Sequence, residues 1–396
     1  MTTARARDRR VYLRSHPLLF ALLAATRRRG VLRLGRTLLV HDRDAFLAAL
    51  TRVPLDRTAN GTTGGAADRL AGSGALFDQH GDAHRRTRRD TADRRSAAGV
   101  QRLRPVWTDL LAERLAVLAM GGTVDLVPLT AELAGRTAAT LLDLDVDPAE
   151  LADAAQRAGA TAARAHLPGL GRRRAARAAS AAEDAAQRLI ALVTPADKNA
   201  RAGQGDLADP AEVGLAVMLA VAAINTTVAA LPRAAAWAAD ADLWAYAGQP
   251  ALTDELLRVT APTPLLPRVA AADAEVAGCP VRAGDRMLLI ARHAVDAHRR
   301  DPDPARPAPA HTAQLVFGAG PHACPGARLA RAQLTDLLTA LAPHRPVIVR
   351  AVADRQSALP GWRSLVVRAG MAESYAGGTT FPPPSQPSQR NEQNET

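Results

Sequence analysis

Residues 317–326 read FGAGPHACPG, and residues 327–341 continue as ARLARAQLTDLLTAL. The second stretch places Ala330, Leu334, Leu337, Leu338 and Leu341 at helical spacing, so a helix with one apolar face follows the loop directly. Cys324 therefore stands at the positive end of a helix, where a thiolate is favoured. Glycines at 318, 320 and 326 let the backbone turn tightly and lie close to a flat group. Phe317 is placed to shield the sulfur, and His322 offers a hydrogen-bond donor to a carboxylate. A Gly-x-Gly beside a cysteine is, alone, better read as a buried structural thiol. The full ordered stretch is far more specific than that.

Working outward, the most apolar segment is 211–240, AEVGLAVMLAVAAINTTVAALPRAAAWAAD. Apolar on nearly all sides, it reads as a helix buried through the middle of the domain, interrupted by Asn225, Thr226 and Thr227 and carrying Pro232. Long amphipathic helices are expected over 100–120, 126–144, 149–164 and 172–193. Residues 31–40 (VLRLGRTLLV) alternate around Gly35 as a hairpin, and short strands are expected from 268 to 290, over 347–352 and over 365–367. Cys279 falls in one of those hairpins as a packing residue. Residues 59–74 are glycine-rich and read as a mobile loop, 194–210 as a polar loop, 296–312 as a Pro/Asp/Arg-rich meander, and the tail from 371 as disordered. The fold class is mainly α with a minor β part: one domain over 1–370, then a tail over 371–396.

The net charge of +11 invites a nucleic-acid reading. Lys198 is the only lysine, however, the arginines are mostly scattered, and aromatics make up 3 %, too few for base-stacking platforms. A basic face that steers an acidic protein partner explains the charge better. Two cysteines 45 apart give neither metal spacing nor a disulfide framework, which points to a reducing compartment. The apolar run 17–25 is too short to span a bilayer. A cytoplasmic protein, bound neither to nucleic acid nor to a membrane, is expected.

The loop resembles the haem-binding signature of the cytochrome P450 family, Phe-Gly-x-Gly-x-x-x-Cys-x-Gly, at every fixed position. The resemblance extends over about residues 30–368. It implies the mostly helical P450 fold, with haem b held between the central helix and the cysteine-loop helix and Cys324 as the axial ligand to iron. It implies that His84 and Arg88 (on one face of HRRTRR), Arg268 and His322 bind the haem propionates, beside Phe317, Gly318 and Gly326. Read without the family, the first two belong to a basic solvated helix. Glu255 and Arg258, otherwise an ordinary surface i, i+3 pair, match the family's Glu-x-x-Arg. Arg306 is then the third member of that network, although Pro307 replaces the usual aromatic.

In the central helix, Ala222–Thr227 (AAINTT) resembles Ala-Gly-x-Asp/Glu-Thr-Thr, where the family's helix opens and passes protons towards the haem. Thr226 matches the key threonine. Ala223 replaces the glycine and Asn225 the acid, and an amide cannot give up a proton as a carboxylic acid does. Asn225 and Thr226 are the catalytic candidates, with Ala222 and Ala223 beside the cofactor. A packing role for Asn225 within a buried helix stays open. Pro325 lacks an N–H, which leaves more charge on the sulfur. The resemblance implies an O2-dependent monooxygenase that hydroxylates or epoxidises a small organic molecule, in bacterial secondary metabolism, with electrons from a separate ferredoxin and ferredoxin reductase. The alternatives are a peroxide-using, coupling, desaturating or rearranging haem-thiolate enzyme, and a non-catalytic haem sensor or carrier.

Overall fold

The structure is a computed structural model that describes residues 3–62, 64–66, 68, 76, 79, 81–165, 172–194 and 209–370. The loop 59–74, the turn near Gly169, the loop 194–210 and the tail 371–396 lie wholly or in large part outside the described residues. The helices are α1 (Thr3–Ser15), α2 (Pro17–Thr26), α3 (Arg43–Thr51), α4 (Gly81–Asp90), α5 (Ala92–Arg95), α6 (Ala97–Ala119) and α7 (Leu126–Leu142). They continue as α8 (Pro148–Ala165), α9 (Arg172–Val193), α10 (Pro210–Asp240), α11 (Pro250–Thr260), α12 (Ala291–Ala294), α13 (Ala310–Gln314) and α14 (Ala327–Leu341). The strands are β1 (Val31–Leu34), β2 (Thr37–Val40), β3 (Leu55–Asp56), β4 (Thr123–Asp125), β5 (Leu266–Ala270), β6 (Ala274–Val276), β7 (Cys279–Val281), β8 (Arg286–Leu289), β9 (Val347–Ala353) and β10 (Trp362–Arg368).

Helix α10 organises the molecule. Asp209 caps it by accepting from the Ala211 N–H at 3.0 Å, and Pro210 sits where no N–H is missed. By length and composition it could cross a membrane. Here it runs through the protein and packs against α7, α8, α9, α11 and α14. Small residues permit that closeness: a Cβ on Gly135 of α7 would collide with the Pro148 carbonyl of α8. One core, including Leu151, Leu189, Val217 and Ile224, joins α7–α10. A second, including Trp107, Leu111, Trp237, Leu256 and Leu337, joins α6, the C-terminal half of α10, α11 and α14.

The expected hairpin forms as β1–β2, turning at Gly35 with φ +58°. It continues into a five-stranded sheet of order β1-β2-β8-β5-β3, in which β2 and β8 are parallel. Strands β4, β10 and β9 form a second sheet, and β6–β7, carrying Cys279, a hairpin.

Helix α1 closes over α10 through buried charge. Asp8 accepts from Arg233 of α10 at 2.6 and 3.1 Å and from Arg292 of α12 at 3.0 Å. Arg233 also donates to the Tyr12 hydroxyl at 2.7 Å. Burial works against the Arg233 charge, but Asp8 and Tyr12 outweigh it and hold its pKa above the ordinary value.

The Glu255–Arg258 pair is not on the surface. The two side chains are 1 % and 0 % exposed and bond at 2.9 and 2.7 Å. Glu255 also accepts the N–H of Asp303 at 3.0 Å and of Ala308 at 2.8 Å, while Arg258 donates to the carbonyls of Val295, Arg300 and Asp301. The pair thus clamps the meander by its backbone. Arg306 is corrected from its expected place as third member: its side chain is exposed and pairs with Asp303 at 3.1 Å. The acceptors of Glu255 are already taken by Arg258 and two backbone N–H groups.

Candidate functional site

Four ties hold the cysteine-loop helix α14 in place. Asp336 accepts from Arg104 at 2.6 and 2.9 Å and from the Trp107 indole N–H at 2.8 Å. Gln333 donates to Thr137 at 2.9 Å, and Arg331 donates to Asp254 at 2.7 Å while its guanidinium lies 4.7 Å from the Phe317 ring centroid. The loop before α14 is folded on itself. Cys324 N–H donates to the Phe317 carbonyl at 2.7 Å, and Gly318 and Gly320 adopt φ of +76° and +71°, which a side chain would strain.

The Cys324 side chain is accessible. Burial pushes its thiol up from the ordinary value, opposed by the Gly326 N–H and by the charges of Arg88, Arg95 and Arg331.

Beside that loop the fold gathers cations. His84 and Arg88 share a face of α4, and the helix sorts its basic residues: His84 is buried and Arg88 half-buried, whereas Arg85, Arg86 and Arg89 are exposed. Arg88 donates to the Ala323 carbonyl at 2.7 Å. The His84 and His322 rings stack at 3.9 Å. Burial lowers the His84 pKa, helped by Arg88, Arg57 and Arg85. Burial and then Arg57, His84, Arg268 and Arg88 lower His322 to about 3. Arg268 on β5 is lowered to about 10 by burial and by Arg57. Positive charges thus act on His84, His322 and Arg268 together. A group bearing carboxylates fits such a cluster. Sequence reasoning missed Arg57, which belongs to no motif; its signal is strand pairing.

The central helix behaves differently. It runs as continuous α-helix through 222–227, without the expected opening. Thr226 Oγ1 donates back to the Ala222 carbonyl at 2.7 Å. The Asn225 amide donates to the carbonyls of Val221 and Ala155, both at 2.9 Å, and so ties α10 to α8. It packs on Gly159, where a Cβ would come within 2.7 Å of Nδ2. Ala222 and Ala223 are half-buried on the same helix.

A family model described as Cytochrome P450 matches residues 250–343. Over nearly the whole chain the fold is that of solved P450 structures. A mutant of P450 EryK in complex with erythromycin B gives a TM-score of 0.70 at 23 % identity, covering 91 % of this chain and 98 % of that one. CYP109E1 from Bacillus megaterium in complex with testosterone gives 0.73 at 18 % identity, covering 91 % and 100 %. Residues 250–343 thus match the cytochrome P450 family, and the fold of the chain is the P450 fold.

Sequence relatives are matched over shorter stretches. Nocardicin C N-oxygenase of Nocardia uniformis subsp. tsuyamanensis is 40 % identical over 91 residues, 22 % of this chain and 23 % of the relative. Luteothin monooxygenase of Streptomyces thioluteus is 38 % identical over 101 residues, 24 % of each. In these matches the chain spans about a quarter of the relatives' length. The P450 family and fold carry haem b, and the cationic cluster and the accessible thiol fit that group.

Proposed function

We propose that this P450 is a haem-thiolate monooxygenase acting on a small organic molecule. The observation that carries the reading is one constellation: an accessible thiol just before α14, beside a buried His84 and the half-buried Arg88, Arg268 and His322. Bound haem supplies the activation of O2 for transfer of one oxygen atom to substrate. Cys324 would hold the haem iron through its sulfur. Its deprotonation is resisted by burial and favoured by the Gly326 N–H and by Arg88, Arg95 and Arg331. His84, Arg88, Arg268 and His322 take the haem carboxylates, and Phe317, Gly318 and Gly326 shape the loop against the ring. Ala222 and Ala223 lie along the opposite wall.

On that wall Thr226 Oγ1 is the group that holds and passes a proton, once it leaves the Ala222 carbonyl. The arginine-rich surface suits an acidic ferredoxin as electron donor, with a ferredoxin reductase behind it. Matched relatives named as a nocardicin C N-oxygenase and a luteothin monooxygenase support a role in bacterial secondary metabolism, and burial of α10 within the fold supports a cytoplasmic protein. The test is the absorption spectrum of the reduced protein under carbon monoxide. A strongly red-shifted Soret band in the wild type, lost in Cys324→Ala, is expected; the same band in both proteins, or no haem, sinks the reading.

One observation favours a second reading. The Asn225 amide is engaged by two carbonyls and supplies no proton, which suits a reaction with little need of proton delivery, such as peroxide-driven oxidation, coupling or desaturation. Turnover with peroxide and no ferredoxin would support it.

A further inference from the structure

Strand β3 pairs with β5 antiparallel, Leu55 opposite Ala270 and Asp56 opposite Val269. Arg57 follows Asp56 directly at the end of β3, and Arg268 precedes Val269, the β5 partner of Asp56. Like charges brought together beside a strand pair repel. Both side chains are also partly withdrawn from solvent. The nearest carboxylate in sequence is committed elsewhere: Asp56 Oδ1 accepts the N–H groups of Thr58 and Ala59, each at 3.0 Å, and so closes the turn after β3. Among the described residues no carboxylate bonds to the Arg57 guanidinium. Burial lowers the Arg57 pKa, and its charge reaches both Arg268 and His84.

We infer that Arg57 is a further haem-binding residue, holding a haem carboxylate from the β3 side together with Arg268. This inference rests on the haem reading above. An anion between the two guanidiniums turns a repulsive pair into a bridged one, with charge-assisted hydrogen bonds from both side chains. It would also fasten the start of the segment after β3 to the cofactor. A substrate carboxylate has the same chemistry, and the experiment separates the two sources.

The test uses the holoprotein and the rate at which haem passes to excess apo-globin, for wild type, Arg57→Gln and Arg57→Lys. Each is also reconstituted with the dimethyl ester of haem, in which the carboxylates carry no charge. With native haem, release from Arg57→Gln is expected to be faster by about tenfold or more, the size of a lost charge-assisted bond, with Arg57→Lys in between. With the ester the difference should shrink to less than about twofold, as a double-mutant cycle requires.

Equal release of native haem from wild type and Arg57→Gln overturns the inference. So does a difference that persists undiminished with the ester, because the effect is then structural. Unchanged haem release with weakened binding of carboxylate-bearing substrates also overturns it and assigns the residue to substrate. If Arg57→Gln does not accumulate, Arg57→Lys carries the same comparison. The carbon monoxide spectrum of the wild type tests the haem-thiolate reading separately, so failure of one is not confused with failure of the other.

Discussion

The cysteine loop and the central helix, proposed above as the two walls of one site, were specified in different ways. On the loop side, residues close in sequence are close in space. Cys324, Phe317, Gly318 and Gly326 sit within ten residues, and a backbone bond from Cys324 to Phe317 fixes their geometry. On the helix side, the decisive contact of Asn225 is with Ala155, 70 residues away. A short contiguous motif announces its own structure. A residue whose partner lies on another helix announces only its chemical type.

The largest effect that tests this contrast lies beneath the loop wall. Glu255→Ala leaves Arg258 buried without its partner and frees the backbone of the meander, and should cost about 3–5 kcal/mol in denaturant unfolding. Arg306→Ala, by contrast, should change stability by less than about 0.5 kcal/mol. Equal costs for the two would restore Arg306 to the network.

Acid should also act on the sheet and loop side. His41 and His293 meet at 2.7 Å, and the His298 ring lies 4.6 Å from His293. Burial lowers His41 and His298 to about 4, with Arg299, Arg27 and Arg292 adding to the effect on His298. Burial, the other two histidines, Arg292 and Arg27 lower His293 to about 2. In the unfolded chain these rings take protons near their ordinary value of about 6.5. Below that pH the unfolded state binds more protons, so stability is full above it and falls as the pH drops towards 4. Urea midpoints measured from pH 7.5 to 4.5 should show the fall, and His298→Leu should make it shallower. A midpoint that does not move with pH would mean that the rings take up protons in the fold as readily as in the unfolded chain.

The helix wall offers a smaller effect. Asn225→Asp turns a carboxylate towards two carbonyls and should cost about 1–3 kcal/mol, without improving the coupling of reductant to product. A more stable or better-coupled variant would mean that the side chain serves the site and not the contact between α8 and α10. Smallest of all, Pro325→Ala restores a possible N–H donor near the sulfur. It should raise the iron reduction potential on the order of tens of millivolts, a size set by hydrogen bonding to the ligand. A lower or unchanged potential in redox titration would count against that account.

Much of the fold was legible because long helices repeat their signal. The segment 172–193 is α9 to the residue, and 211–240 differs from α10 by one residue at its start. The short strands β3 and β4 were not, since two or three residues carry no period to detect. The position of Arg57 was hidden for the same reason: it follows from β3 pairing with β5, a contact between residues more than 200 apart. The spacing of Glu255 and Arg258 was visible, but their depth was not, because an i, i+3 pair reads the same on a wet face and a dry one. Arg306 was misplaced because sequence order suggested a side chain where the structure uses backbone N–H groups.

Asp8 has a consequence for how the chain folds. Its two arginines lie 225 and 284 residues further on. As the ribosome releases the chain, α1 must wait, charged and unpaired, until α10 and α12 have emerged. Closing so long a loop is slow, so the docking of α1 should come late and seal a nearly finished molecule. Until then Arg233 would remain accessible to water, and the central helix would hold a cation that it can bury only when α1 docks.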